Sequence, residues 1–131
     1  MIQVSTLLKV VDKTGITSVK CIKVLSTIKS RIAFVGDIVI VSVYRLNPKK
    51  FKDVKLFKKK KFLKGTLHRG LIIRSCVNFK RMSSIFIKFN ENSVVLVNKR
   101  VVPISNRIYG PVLREICMRL PSVGCVTRFM I

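Results

Sequence analysis

The stretch Ile38-Val39-Ile40-Val41-Ser42-Val43-Tyr44 decides the fold, together with Leu71-Ile72-Ile73 and Val94-Val95-Leu96-Val97 further along. All three have strand length and are rich in β-branched residues. A strand with one wet face alternates apolar and polar side chains. These runs are apolar at consecutive positions instead. That pattern suits strands covered on both faces, or a small closed barrel with an outer layer. Val19 to Leu25 and Ile85 to Phe89 extend the series in both directions. Gly36-Asp37 and Asn90-Glu91-Asn92 supply turns between runs. Five or six short strands in so short a chain predict a mainly β fold, because closure removes exposed strand edges.

The C-terminal third changes character. Gly110-Pro111 followed by Val-Leu-Arg-Glu-Ile-Cys-Met-Arg-Leu predicts a short helix over 111–120, with Pro111 in its first turn, where no donor is lost. Leu113, Ile116, Cys117 and Leu120 share one face. Arg114, Glu115 and Arg119 lie away from it, with Glu115 and Arg119 at i,i+4 spacing. Pro121 ends the helix. The fold class expected is therefore a small closed five-stranded barrel with a short helical C-terminal part, as one domain over residues 1–131.

Charge narrows the partners. The chain has 27 Lys and Arg against 5 Asp and Glu, a formal net charge of +22. A free domain so charged repels itself, and a permanent polyanion partner is the simplest remedy. RNA is the commonest such partner. Three basic groups stand out. Residues 49–63 form a Lys-rich segment, including Lys49, Lys50, Lys58, Lys59, Lys60 and Lys61, with Lys64 just beyond; Phe51, Phe57 and Phe62 are interleaved. Its alternatives are a solvated arm or an RNA-binding extension whose lysines release counterions, the Phe rings stacking on bases or packing on the globule. Arg69, Arg74, Lys80 and Arg81 bracket Leu71–Ile73, and Ser75 to Ser84 has hairpin-loop length. Lys99, Arg100, Arg107, Arg114 and Arg119 form the third group, and Arg suits bidentate phosphate contacts. Arg107 and Arg114 flank a helix entrance whose amides offer another phosphate site. Lys23 and Lys88 complete the expected RNA-binding set.

Other chemistry has little to stand on. Asp12, Asp37, Asp53, Glu91 and Glu115 are scattered, so no paired-carboxylate site is evident. His68 is the sole histidine and reads as an exposed polar contact. The four cysteines, at 21, 76, 117 and 125, form no C-x-x-C pair, which argues against a metal site and a disulfide framework. Cys21 reads as a buried free thiol. No catalytic residue and no cofactor are expected. No apolar run reaches the length of a membrane span, so no membrane partner is expected. The N-terminal residues read as neither a signal nor a transit sequence, so none is expected, and alanine occurs only at Ala33. Together these point to synthesis within an organelle, with a mitochondrial matrix ribosome the first expectation and a plastid or bacterial cytoplasm the alternative.

The residues also resemble a known family, the bacterial-type L-fourteen family of large-subunit ribosomal proteins. The match runs through Met1-Ile2-Gln3, Thr6, Val10, Asp12, Gly15, Cys21-Ile22-Lys23-Val24-Leu25 and Val35-Gly36-Asp37-Ile38. It continues through Lys64-Gly65, Leu71-Ile72-Ile73-Arg74, Phe89, Asn92, Val95-Leu96, Asn98, Arg107-Ile108-Tyr109-Gly110-Pro111-Val112 and Arg114-Glu115. The resemblance implies a five-stranded barrel and binding to large-subunit rRNA. It implies a place on the intersubunit face, contact with small-subunit rRNA at a bridge, and a neighbouring protein of the L-nineteen type. A ribosome-silencing factor docks on this family. Ser84 replaces the family's glycine and Asn90-Glu91 its Asp-Gly, so both turns are expected to change shape. The tail after Arg119 matches poorly. The rival readings are a free OB-type single-stranded nucleic-acid-binding protein, which lacks its usual aromatic platforms here, and a small nuclease, which lacks its carboxylates and histidines.

Overall fold

The computed structural model describes residues 2–25, 31–47 and 62–131. The strands are β1 (Leu7–Val10), β2 (Ile16–Val24), β3 (Ile38–Leu46), β4 (Leu67–Arg74), β5 (Phe79–Lys80), β6 (Phe86–Ile87), β7 (Ser93–Val97), β8 (Ile108–Val112) and β9 (Thr127–Met130). Two short helices, α1 (Arg114–Arg119) and α2 (Pro121–Gly124), lie between β8 and β9. Strands β1-β2-β3-β4-β7 close into a barrel. Neighbours are antiparallel except at the closure, where β1 runs parallel to β7 with Val10 opposite Val94.

The consecutive apolar positions are explained by two cores on either side of one sheet wall. Val19, Val39, Val41, Val43, Ile72, Val94 and Leu96 fill the barrel interior. Leu71, Ile73, Val95 and Val97 point outward and pack against Ile108, Val112, Leu113, Ile116 and Val123 of the C-terminal layer. Leu71, Ile72 and Ile73 are all fully buried, on alternate faces. Burying one such side chain contributes about 1.5–3 kcal/mol, and here both faces contribute.

The strands of the barrel differ from expectation at one place. Leu7–Val10 supplies the fifth barrel strand. The Ile85 run instead forms a two-stranded side sheet, with Phe79 opposite Ile87 and Lys80 opposite Phe86. Leu7–Val10 alternates exposed and buried residues, and that short alternation is a weak signal in sequence. Ser84 keeps a left-handed backbone (φ 61) in the turn of this side sheet, although it is not glycine. Its N–H donates to Arg81 O at 3.0 Å, so the turn keeps a left-handed residue without glycine.

The C-terminal layer corrects a boundary. Pro111 lies in β8, opposite Phe129 of the parallel strand β9. The helix starts three residues later, after extended Leu113 (φ −64, ψ 133). A φ locked near −65° suits an extended residue as well as a helical one, so Pro111 alone could not fix the start. Pro121 does end α1, and it opens α2. Leu113, Ile116 and Cys117 are buried and Leu120 packs beside them, as the shared face predicts.

Asp12 ties the segment after β1 to β7. It is 3% exposed. Its carboxylate accepts from Leu96 N–H at 3.1 Å, from Thr14 N–H at 2.9 Å and from the Thr14 hydroxyl. Asp12→Ala strands buried donors and should cost about 3 kcal/mol by thermal or urea unfolding. Asp12→Asn keeps one acceptor oxygen and should recover part of that loss. A loss below about 1 kcal/mol for the alanine variant would show the bonds to be expendable.

Candidate nucleic-acid interface

The described part of the expected RNA-binding set divides into three environments. Lys23, Lys64, Arg69, Lys80, Lys88, Lys99, Arg100, Arg107, Arg114 and Arg119 are exposed. Arg81 is half-buried and Arg74 is buried. Lys49, Lys50, Lys58, Lys59, Lys60 and Lys61, with Phe51 and Phe57, lie outside the described residues. Phe62 does not: it is 6% exposed, joins the barrel core and meets His68 edge-on at 4.9 Å between centroids. Of the two alternatives for this ring, stacking on a base or packing on the globule, Phe62 takes the second. An aromatic among lysines gave no sign of which side it faces.

Arg74 is the main correction. At 7% exposure it belongs to the interior. Its Nη2 donates to Tyr109 O at 3.1 Å and lies 3.5 Å from Glu91 Oε1. Burial lowers its pKa, partly offset by Glu91. It joins β4 to β8 and has no surface to offer a phosphate. Arg81 is similarly occupied: Nε donates to Glu115 Oε1 at 2.5 Å, and Nη2 to Glu115 Oε2 at 3.3 Å and to Ile131 O. Glu115 thus pairs with the side sheet and not with Arg119. The helix-entrance phosphate site also falls away, because Arg114 N–H donates to Ile131 O at 2.8 Å.

What remains is a surface cationic on several faces. On the barrel wall Lys23 is opposite Ile40 and Ile40 opposite Arg69. Two strand spacings separate these cations, roughly 10 Å. Arg69 Nη1 donates to Lys99 O at 3.4 Å, so the second and third groups meet here. Arg119 lines a cleft of about 210 Å³ with Val101, Val35 and Phe79. Lys80 Nζ sits 5.8 Å from the Phe86 ring centroid. Lys13, Lys20, Arg31, Arg45 and Arg128 are further exposed cations. None has another cation beside it in the chain, so no cluster marked them in the sequence.

The remaining described titratable groups lie apart from one another. His68 is half-buried, not exposed. Its Nε2 lies 3.0 Å from Thr66 Oγ1, and burial lowers its pKa. Among the described residues no three His, Cys, Asp or Glu side chains gather to hold a metal. The four cysteines are free, and Cys21 is buried as expected. No described helix is long and apolar enough to cross a membrane.

Glu91 and Glu115 serve the fold. The hydrogen bond from Lys9, at 2.8 Å, lowers the Glu91 pKa below its usual 4.5. The Arg81 hydrogen bond does the same for Glu115. A depressed folded pKa contributes stability above the unfolded value, lost as pH falls through the folded one. Acidifying from pH 7 through about 4.5 and below should therefore lower the Tm. The double variant Glu91→Gln, Glu115→Gln should show a flatter decline over the same window. An identical decline in parent and double variant would remove both carboxylates from the account.

A closed barrel with a C-terminal layer, cations spread over its surface and its described carboxylates committed to internal contacts defines a class: a small structural protein built to sit within a ribonucleoprotein. The sequence model of the family described as Ribosomal protein L14p/L23e matches residues 1–128, and the chain belongs to that family. It is a non-enzymatic, structural component of the large ribosomal subunit. The match extends past Arg119 to residue 128, within β9.

Proposed function

We propose that this protein binds large-subunit rRNA through its exposed cations and stands on the intersubunit face, touching small-subunit rRNA at a bridge. The observation that carries the reading is a chain of net charge +22 whose described barrel exposes Lys and Arg on several faces, while its carboxylates Glu91 and Glu115 are already paired internally. Lys and Arg on a rigid wall neutralise phosphates and fix register without reading sequence. The binding set is Lys23, Lys64, Arg69, Lys80, Lys88, Lys99, Arg100, Arg107, Arg114 and Arg119, with the lysines of 49–63 adding charge outside the described residues. The neighbouring proteins in this reading are one of the L-nineteen type and a ribosome-silencing factor. The single alanine of a chain rich in Ile, Lys, Phe and Asn supports a mitochondrial ribosome, with plastid and bacterial ones as alternatives.

Sedimentation of tagged protein from host organelles tests the reading. Retention on large subunits through a salt wash is expected, with crosslinks to rRNA of both subunits in intact ribosomes. Release by the wash, with free protein bound to single strands, would favour the OB-type alternative.

A further inference from the structure

The geometry points to a slot on the barrel wall that takes one unstacked nucleotide of single-stranded RNA, its base on an aliphatic floor and its phosphate on Arg69 and Lys99. The inference rests on the RNA-binding reading above and adds a site to it. Ile40 of β3, Leu67 of β4, Val97 of β7 and Ile104 floor a surface depression of about 320 Å³. That is near the small end of ligand sites. The C-terminal layer covers the same wall one row further along, at Ile38, Leu71 and Val95. It reaches the slot's edge at Val97, which is 3% exposed, and leaves Leu67 61% exposed. An apolar floor left open on a surface otherwise dense in cations is the kind of patch that marks a contact.

The rim supplies complementary chemistry. Arg69, Lys99 and Asn98 line it, and no acid does. The bond from Arg69 Nη1 to Lys99 O, at 3.4 Å, orients the guanidinium, whose remaining N–H groups are left to meet the phosphate. Asn98 offers both a donor and an acceptor to a base edge. The turn carrying Lys99 is locked: Asn98 N–H donates to Val102 O at 2.9 Å and Val101 N–H to Asn98 O at 3.0 Å. Val101 holds φ 60, a left-handed backbone that a β-branched residue rarely adopts. Strain of this kind persists where the surroundings over-determine it, and it clusters at functional positions. Lys23, across Ile40 from Arg69, stands in line for a neighbouring phosphate.

The full-length protein is tested with two probes, a uridine hexamer and a fully abasic ribose-phosphate hexamer of equal charge. The uridine hexamer should bind about tenfold more tightly, the scale of one stacked base. Leu67→Ala with Ile104→Ala should abolish that preference and leave the abasic affinity unchanged. Leu67→Ser alone, at an exposed position, reports if the double variant unfolds. A hexamer carrying 4-thiouridine should photocrosslink within residues 67–69 or 98–104. Equal affinity for the two hexamers, a preference that survives in the variants, or crosslinks confined to other segments would each overturn the slot while RNA binding stands. Failure to bind either hexamer would overturn the RNA-binding reading and the slot with it. A double variant that binds both hexamers as the parent does but no longer joins large subunits would assign the slot to a neighbouring protein, and the proposal would fall.

Discussion

Raising salt from about 50 to about 200 mM should weaken RNA binding by this protein about 10³–10⁵-fold, the loss expected when roughly 6–10 phosphates are neutralised. The cations available for that number can be read from the fold. Arg74 and Arg81 are committed internally, and Lys9 is bonded to Glu91 at 2.8 Å. The exposed cations that remain are spread over several faces, so one RNA surface meets only some of them. Each phosphate contact contributes a slope of about −0.9 in log K against log salt on a duplex, and about −0.7 on a single strand. Arg107→Ala or Arg114→Ala should therefore reduce the slope by about one contact and weaken incorporation into large subunits, with the Tm unchanged. A salt titration that stays flat would end the electrostatic account. A variant that loses fold and RNA binding together would move that residue from the surface set to the structural one.

The second large effect lies at the junction of barrel and C-terminal layer. Arg74→Met should destabilise the domain by about 2 kcal/mol, the scale of a charge-assisted hydrogen bond lost to Tyr109 O. The value stays modest for two reasons. Arg74 Nε is buried without a partner in the parent protein, which already bears that cost. Glu91 keeps Lys9 when Arg74 goes. Gly110→Ala should do more, about 3 kcal/mol. Gly110 has φ +82, where an L side chain costs about 1–2 kcal/mol. A Cβ there would also lie 2.3 Å from Arg74 Nη1, so the guanidinium would have to leave its place. The double variant should lose less than the sum, because removing the guanidinium opens room for the methyl group; such neighbours couple by about 0.5–3 kcal/mol. Thermal melts of the three variants read this directly. Strict additivity, or an Arg74→Met melt indistinguishable from the parent, would mean that Arg74 does not join the two layers.

By itself the sequence determined the class of fold and the kind of partner. Leu71-Ile72-Ile73 and Val94–Val97 have no polar position to spare, so strands covered on both faces follow from composition alone. The charge likewise selects a polyanion before any coordinate is known. The tertiary structure decided what each charged or aromatic residue does. Arg69 and Arg74 share a strand and look equivalent in sequence, yet one is exposed and the other buried. The difference comes from Glu91 and the Tyr109 carbonyl, which only the closed fold brings to Arg74, and from the register shift between Ile72 and Arg74. Phe62 is core because His68 and the barrel end receive it, not because of its lysine neighbours. Leu7–Val10 took the fifth barrel position and the Ile85 run the side sheet. Barrel membership is settled by which edge remains to be paired, and the parallel closure of β1 on β7 depends on residues more than eighty positions apart. Short-range pattern records which residues avoid water; it does not record which distant group will meet them there.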